Sequence, residues 1–321
     1  MSTIVSLVVV TYNSSKFIEE TLNSIASQTW KEIELIITDD CSKDDTVAIC
    51  REWLAKNEGR FIRTKLITVP KNTGVAANRN RGFFAAKGEW IKFCAGDDAL
   101  LPNCIKDNLD YVSENKDVKA LFSYCQMYSE ILTEKYFIGL NPGKYPSHII
   151  TDEITAEEQY KLMLVSNRIP FTPSFFCHYD ILKEYGESDE SHPFSEDYLL
   201  FLNLTKNGIK LFFMEKETVK YRIHQESLSK QITEYIVNPM YFKNEPSMKK
   251  YCYPYIPWDI RLSKIHTWYI NHLFKNSFFN RKTKFNSFLH YVLNTFLNPF
   301  HYIVYIKSHY LAKYRNDIFY R

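Results

Sequence analysis

Apolar positions change period several times in the first hundred residues. "IVSLVVVT" (4–11) is a near-continuous β-branched run, the pattern of a strand buried on both faces. Ile18, Leu22 and Ile25 then fall at helical spacing, with Ser14 or Ser15 placed to cap that helix. "IELIIT" (33–38) predicts a second strand, and Val47, Cys50 and Leu54 a second helix. "FIRTKLITV" predicts a third strand, "GVAANRNRGFFAAKG" a helix closed by Gly88, and "EWIKFC" a fourth strand. This alternation predicts an α/β fold whose central sheet is mostly parallel and flanked by helices.

Ligands of such sheets lie beyond the carboxyl ends of the strands. Polar residues stand at those ends: Tyr12–Asn13, Asp39–Asp40, Asn72 and Asp97–Asp98. The last pair sits in "CAGDD", where a buried strand should run out into a loop. Two adjacent carboxylates repel, and burying either alone is expensive. A divalent cation resolves the conflict, because Mg²⁺ or Mn²⁺ takes one or two carboxylates and completes its shell with phosphates and water. An isolated "DD" is usually a solvated turn; its place after a strand, with Asp39–Asp40 on the same rim, favours a site. Neither GxGxxG nor GxxxxGK[ST] occurs, so a nucleotide would rest on side chains and metal.

Hydrophobic residues make up 45% of the 321, enough for a sizeable core. Seven cysteines without a CxxC pair predict idle, reduced thiols of a cytosolic protein. The apolar N-terminal run lacks a basic flank and reads as a strand, not a signal peptide.

Charge is uneven. The net +3 contains +8 from Trp258 to Arg321, leaving −5 for the rest, and 17 of the 51 aromatic residues lie in that tail. Between Lys284 and Lys307 there is no fixed charge. Phe285, Phe288, Leu289, Val292, Leu293, Phe296 and Leu297 recur at helical spacing there, opposite Asn286, Ser287, His290, Asn294 and Asn298. A spanning helix is apolar all round for ~20 residues. A two-sided helix flanked by "NRKTK" and by Lys307, Lys313 and Arg315 predicts a membrane-associating, interfacial extension. Packing of the stripe on the rest of the chain is the competing expectation.

Five segments carry a resemblance. "VSLVVVTYN", "SIASQTWKEIELIITDDCSKDDT", "KNTGVAANRNRGFFAAKGEWIKFCAGDD", "FSEDYLLFL" and "YRIHQESLS" resemble, in order, the motifs of family 2 glycosyltransferases, inverting enzymes of GT-A fold. The resemblance covers residues 4–230. It implies a Rossmann-like catalytic domain over 1–230, with a nucleotide-sugar half (1–115) and an acceptor and base half (116–230). A helical extension would occupy 231–321.

It also implies a UDP-sugar donor, Mg²⁺ or Mn²⁺, and residue roles. Thr11, Tyr12 and Asn13 would lie at the base and ribose, with Asp40 accepting from the uracil imide and Asp39 supporting the loop. Asn72 and Gly74 would shape the entry loop, and Arg79 would face the diphosphate or a neighbouring acid. Asp98 would hold the metal, Asp97 the metal or ribose, and His224 the metal or diphosphate, with Arg222 as charge support. The family often has an acid where this chain has Gly96, so metal binding rests first on Asp98. Glu196–Asp197 match the "ED" motif, with Asp197 as catalytic base and Glu196 as its orienting neighbour. The start of a helix suits an ionised base.

The function expected is transfer of a hexose or N-acetylhexosamine to a lipid-linked or cell-surface glycan, as in O-antigen or capsule synthesis. The enzyme would be peripheral on the inner face of the cytoplasmic membrane. Residues 130–170 and "NRIPFTPSFFCHYDIL" are expected on the acceptor side, with Phe175–Phe176 as strand core. Two other classes compete with this reading. A catalytically silent scaffold would have lost the metal acids or the base, and all are present. A nucleic-acid binder would use the basic tail, which shows no RNA-binding motif.

Overall fold

The computed structural model describes residues 2–143, 149–166, 171–186, 190, 196–225, 235–312 and 317–320. The N-terminal strands are β1 (Val5–Thr11), β2 (Ile33–Asp39), β3 (Arg63–Thr68) and β4 (Trp90–Ala95). Between them run α1 (Ile18–Ala26), α2 (Thr46–Asn57) and α3 (Val75–Ala85). Each connection is a strand–helix–strand crossover, and the four strands are parallel in the order β3-β2-β1-β4. Every residue of β2 is buried, including Glu34, whose carboxylate accepts from Ser6 Oγ and pairs with Arg63.

The second half turns the sheet mixed. After β5 (Ala99–Leu100) and α4 (Cys104–Glu114) come β6 (Ala120–Ser129), β7 (Phe137–Asn141), α5 (Ala156–Val165), β8 (Phe176–His178) and α6 (Tyr179–Tyr185). Then follow α7 (Glu196–Lys206) and β9 (Leu211–Ile223). β8 joins antiparallel to β4 and β6, β9 runs parallel to β6, and β5 closes antiparallel on β9. The result is a nine-stranded sheet in the order β3-β2-β1-β4-β8-β6-β9-β5, with β7 beside β6. Phe176 is buried in β8, as expected of strand core; Phe175 is buried too but stands just before the strand.

Register sets the rim. Thr11 pairs with Asp39, Asp39 with Thr68, and Val10 with Ala95, so the ends of all four N-terminal strands lie side by side.

Three local expectations are corrected. Neither serine caps α1 with its side chain: Phe17 occupies the cap position, and Ser14 contributes its carbonyl to Phe17 and Ile18. β3 is shorter than the run that predicts it. Gly88 does not close α3, which ends at Ala85; it lies against β1, donating to Ser6 Oγ at 2.7 Å. A Cβ there would sit 2.5 Å from the Ser6 nitrogen, so close approach of backbones, not helix termination, requires glycine.

Chain contacts divide the protein into two units, 1–159 with 168–230, and 160–167 with 231–321. The second unit contains α8 (Pro239–Tyr251), α9 (Trp258–Lys275), α10 (Lys284–Tyr291), a π-helical turn (Val292–Phe296) that continues α10, and α11 (Pro299–Lys307). Buried Asp259 at the start of α9 accepts from Tyr320 at 2.9 Å and pairs with Lys307 at 3.0 Å, tying both ends of the unit together. Among the described residues, no helix is long and apolar enough to cross a membrane.

Candidate active site

The loop after β1 is locked to the loop after β2. Asn13 takes a positive φ of 51° and its Oδ1 accepts from the Lys43 N–H at 2.8 Å. Ser14 N–H donates to Thr46 Oγ1 at 2.8 Å, and Asp44 accepts from Ser15 N–H at 3.0 Å. These bonds leave Tyr12 projecting, 46% exposed, while Thr11 beneath it is buried. Among the described residues, Thr11 Oγ1 has no hydrogen-bond partner.

Asp39 and Asp40 are both buried and both engaged within the chain. Asp39 accepts from the N–H and hydroxyl of Ser42. Asp40 accepts from Thr73 N–H and Oγ1, from Gly74 N–H at 2.7 Å, and from Arg81 at 2.7 Å. These contacts, with burial working against them, hold its carboxyl below the usual range. Asp40 therefore fastens the loop before α3 to the rim. Gly74 starts α3 at φ 93°, which favours glycine, and Asn72 is exposed beside it. Arg81, two residues past Arg79 in "NRNR", was missed as the partner of Asp40.

The acidic pair beyond β4 is built by elements distant in sequence. β9 returns alongside β5 and lays Arg222 over the loop. Its N–H donates to Asp98 Oδ1 at 3.0 Å, its Nε to the Asp97 carbonyl at 2.8 Å, and its Nη1 to the Glu130 carbonyl at 2.8 Å. Its Nη2 pairs with Glu20, and the guanidinium lies 4.6 Å from the centroid of Phe17. His224 Nε2 stands 2.9 Å from Asp97 Oδ2, its ring 4.7 Å from that of Phe17. Asp97, Asp98, Arg222 and His224 thus come together as the sequence predicts. Glu20 and Phe17 were not predicted, because a first-turn acid and an aromatic on an amphipathic helix carry no distinguishing signal.

Asp98 is fully enclosed, and among the described residues its Oδ2 has no hydrogen-bond partner. Burial first, and the charge of Asp97 second, push its carboxyl well above the usual range. An orphaned, enclosed carboxylate oxygen beside a second carboxylate and an imidazole fits a hard divalent cation. Among the described residues no three His, Cys, Asp or Glu side chains already converge on one point. A cation would therefore take Asp98, with Asp97 and His224 nearby, and leave positions for water and phosphate oxygens. Gly96 explains the departure from the family pattern: a Cβ there would lie 2.7 Å from Thr11 Oγ1 and 3.0 Å from Ser14 Oγ.

Lys92 on β4 is completely buried; its ammonium donates to the Pro173 carbonyl at 2.5 Å and lowers the cost of the Asp98 charge. The lone lysine in "EWIKF" was the available signal for it.

The second acidic pair opens α7. Arg79 Nη1 donates to Asp197 Oδ1 at 2.6 Å, and the guanidinium stacks 4.8 Å from the centroid of Phe93 on β4. Glu196 is raised to about 7, by burial first and by the charge of Asp197 second. One member of the pair is therefore ion-paired and the other titrates near neutrality. Residues 191–195 and 226–230, which flank these motifs, lie outside the described residues, as do 144–148 and 167–170 of the expected acceptor side. Buried thiols are pushed up by desolvation, Cys50 to about 12, so they remain protonated and unreactive.

The α/β sheet thus carries one carboxylate pair beyond β4 and a second at the head of α7, the side of such sheets where ligands lie. Residues 6–162 match the profile of glycosyl transferase family 2. Over 230 residues, 70% of this chain and 80% of the relative, the sequence is 32% identical to the UDP-Glc:alpha-D-GlcNAc-diphosphoundecaprenol beta-1,3-glucosyltransferase WfaP of Escherichia coli. The structure superposes on S. aureus TarS (residues 1–349) in complex with UDP-GlcNAc with a TM-score of 0.57 at 18% identity, covering 92% of this chain and 82% of that one. A mannosyltransferase of Pyrobaculum calidifontis in complex with GDP-Man and Mn²⁺ gives a TM-score of 0.51 at 15% identity, covering 97% and 76%. The chain belongs to glycosyl transferase family 2 and is a glycosyltransferase of GT-A-like fold.

Proposed function

We propose that the protein is an inverting, metal-dependent hexosyl- or N-acetylhexosaminyltransferase that uses a UDP-sugar and a lipid-linked glycan acceptor. It would work in O-antigen, capsule or similar polysaccharide synthesis, at the inner face of the cytoplasmic membrane. The observation that carries the reading is the enclosed, unpartnered Oδ2 of Asp98 on the same strand rim as Tyr12 and the Asp40-anchored loop. WfaP, whose named acceptor is a lipid diphosphate sugar, supports the acceptor class.

The residue roles follow from what each side chain can reach. Tyr12 and the backbone at Asn13 offer the exposed surface for the base, and Asp40 holds the loop that borders it. Asp98, with Asp97 and His224, would hold Mg²⁺ or Mn²⁺, which would offset the charge developing on the departing diphosphate. Arg222 orients Asp98 through its backbone N–H and shields the pair electrostatically. Asp197 takes the proton of the acceptor hydroxyl as general base once Arg79 turns toward the donor phosphates. Glu196 beside it sets the charge of the pair. A single displacement needs no enzyme nucleophile, in keeping with protonated thiols.

The test is UDP release from a panel of UDP-sugars with a GlcNAc- or GalNAc-diphosphate lipid and Mg²⁺ or Mn²⁺. Acceptor-dependent release with at least one donor is expected. No release with any donor, together with no UDP binding, would overturn the reading in favour of a silent scaffold.

A further inference from the structure

The α10 segment is amphipathic in the opposite sense to a helix on the surface of a water-soluble core. Its polar residues face inward. Asn286 is 1% exposed and donates to the Arg281 carbonyl at 3.0 Å. His290 meets Asn271 of α9 at 2.8 Å, and Asn294 meets His290 at 3.0 Å. Asn298, also 1% exposed, donates to Ser263 Oγ of α9 at 3.1 Å. The aromatic part of the stripe faces outward: Phe285 is 66% exposed, Phe288 63%, and Phe296 and Leu297 also stand in the open, while Leu289, Val292 and Leu293 are half-buried. Phe285, Phe288 and Phe296 recur at helical spacing along one side of α10 and its π-helical continuation.

Hydrogen bonding explains the inward side: Asn286 and Asn298 are buried and His290 and Asn294 half-buried, and they bond to the Arg281 carbonyl, to one another and to α9. It leaves the outward side without an account in water. Monomeric soluble proteins seldom expose contiguous aromatic patches of this kind, and those that do use them to bind. Charge selects the occupant. Arg281, Lys282 and Lys284 are exposed at the start of the same helix, and the sequence has no acidic residue between Ile260 and Asn316. An apolar aromatic face with three cations at its start matches an anionic bilayer, where rings enter the acyl boundary and cationic groups remain among the headgroups.

We infer that the outward face of α10 and its π-helical continuation, with Arg281, Lys282 and Lys284 at its border, seats the protein on anionic lipid. The inference names the surface by which the membrane reading above would be realised, and it stands on binding alone. Each cation near an anionic surface strengthens binding by at most about fivefold, so two together change it by at most about thirtyfold. Salt therefore weakens the seat without abolishing it, because the apolar contribution is unscreened.

The experiment is co-sedimentation of the full chain with phosphatidylcholine vesicles, with and without phosphatidylglycerol, in the absence of donor and acceptor. Wild type is expected to sediment with the anionic vesicles and to be partly released by salt. The triple variant Phe285→Ser, Phe288→Ser, Phe296→Ser should bind at least about tenfold more weakly at every salt concentration. Lys282→Gln with Lys284→Gln should lose the preference for phosphatidylglycerol. The variants should keep the wild-type melting temperature and UDP affinity, which shows that they fold. Wild type remaining in solution with both vesicles would overturn the inference, as would a triple variant that sediments like wild type. A wild-type dimer that the serine variant converts to monomer, without vesicle binding, would assign the face to a second copy instead. Because vesicle binding is read without catalysis, failure of the glycosyltransferase reading would leave it standing.

Discussion

Arg79 Nη1 lies 2.6 Å from Asp197 Oδ1, so the proposed base of the reaction is held by an arginine from α3. A cation on α3 thereby links the parallel N-terminal strands and their helices to the first turn of α7. Occupied by Arg79, one oxygen of Asp197 is not free to take a proton, and movement of Arg79 toward an incoming diphosphate would release it.

Asp197→Asn keeps the shape and removes the base. Donor affinity should stay within a few-fold of wild type while turnover falls ~10²–10⁴-fold. Arg79→Met should also lower turnover, and the double variant should be little worse than Asp197→Asn, because residues acting as a unit are not additive. Steady-state kinetics with calorimetric UDP binding checks this. Collapse of UDP binding in Asp197→Asn would remove it from the role of base.

Asp98→Asn should remove the dependence of UDP binding on added Mg²⁺ or Mn²⁺. It also replaces a costly buried carboxylate by a neutral isostere, so the melting temperature without metal should hold or rise. Metal-dependent UDP affinity like that of wild type would end the assignment of Asp98.

Glu196 gives a pH dependence with a definite sign. Its folded pKa is raised from 4.5 to about 7, so between those values the folded state keeps a proton that the unfolded state has lost. Stability contributed by that proton is complete below about pH 4.5 and is lost as the pH rises through about 7. Glu196→Gln should therefore gain thermal stability relative to wild type as the pH rises across that window. Melting curves that stay parallel throughout would show that Glu196 is not shifted.

Gly96→Asp would restore the acid common in the family, and it should fail to improve metal binding. The new Cβ would meet Thr11 and Ser14, where overpacking typically costs ~1–3 kcal/mol. Denaturant melts and metal titration of the variant check both halves of this expectation.

The sequence by itself determined the parallel N-terminal sheet, because period-2 and period-3.6 patterns are local and the runs of β1 and β2 leave no alternative to burial. It also placed Tyr12, Asp40, Asp98 and Asp197 at element ends, since polar residues that interrupt apolar runs mark those ends whatever the chain does next. The partner of each group was decided in three dimensions. Asp40 meets Thr73, Gly74 and Arg81 because β2 and the loop before α3 share a rim, which no spacing reveals. Arg222 reaches Asp98 across 124 positions only because β9 returns beside β5. Gly96 and Gly88 are explained by atoms of β1 and the loop after it, far from them in sequence. In the tail, periodicity fixed two sides of a helix and could not say which faces inward. Hydrogen bonds from Asn286, His290, Asn294 and Asn298 decide that, and they turn the aromatic side out.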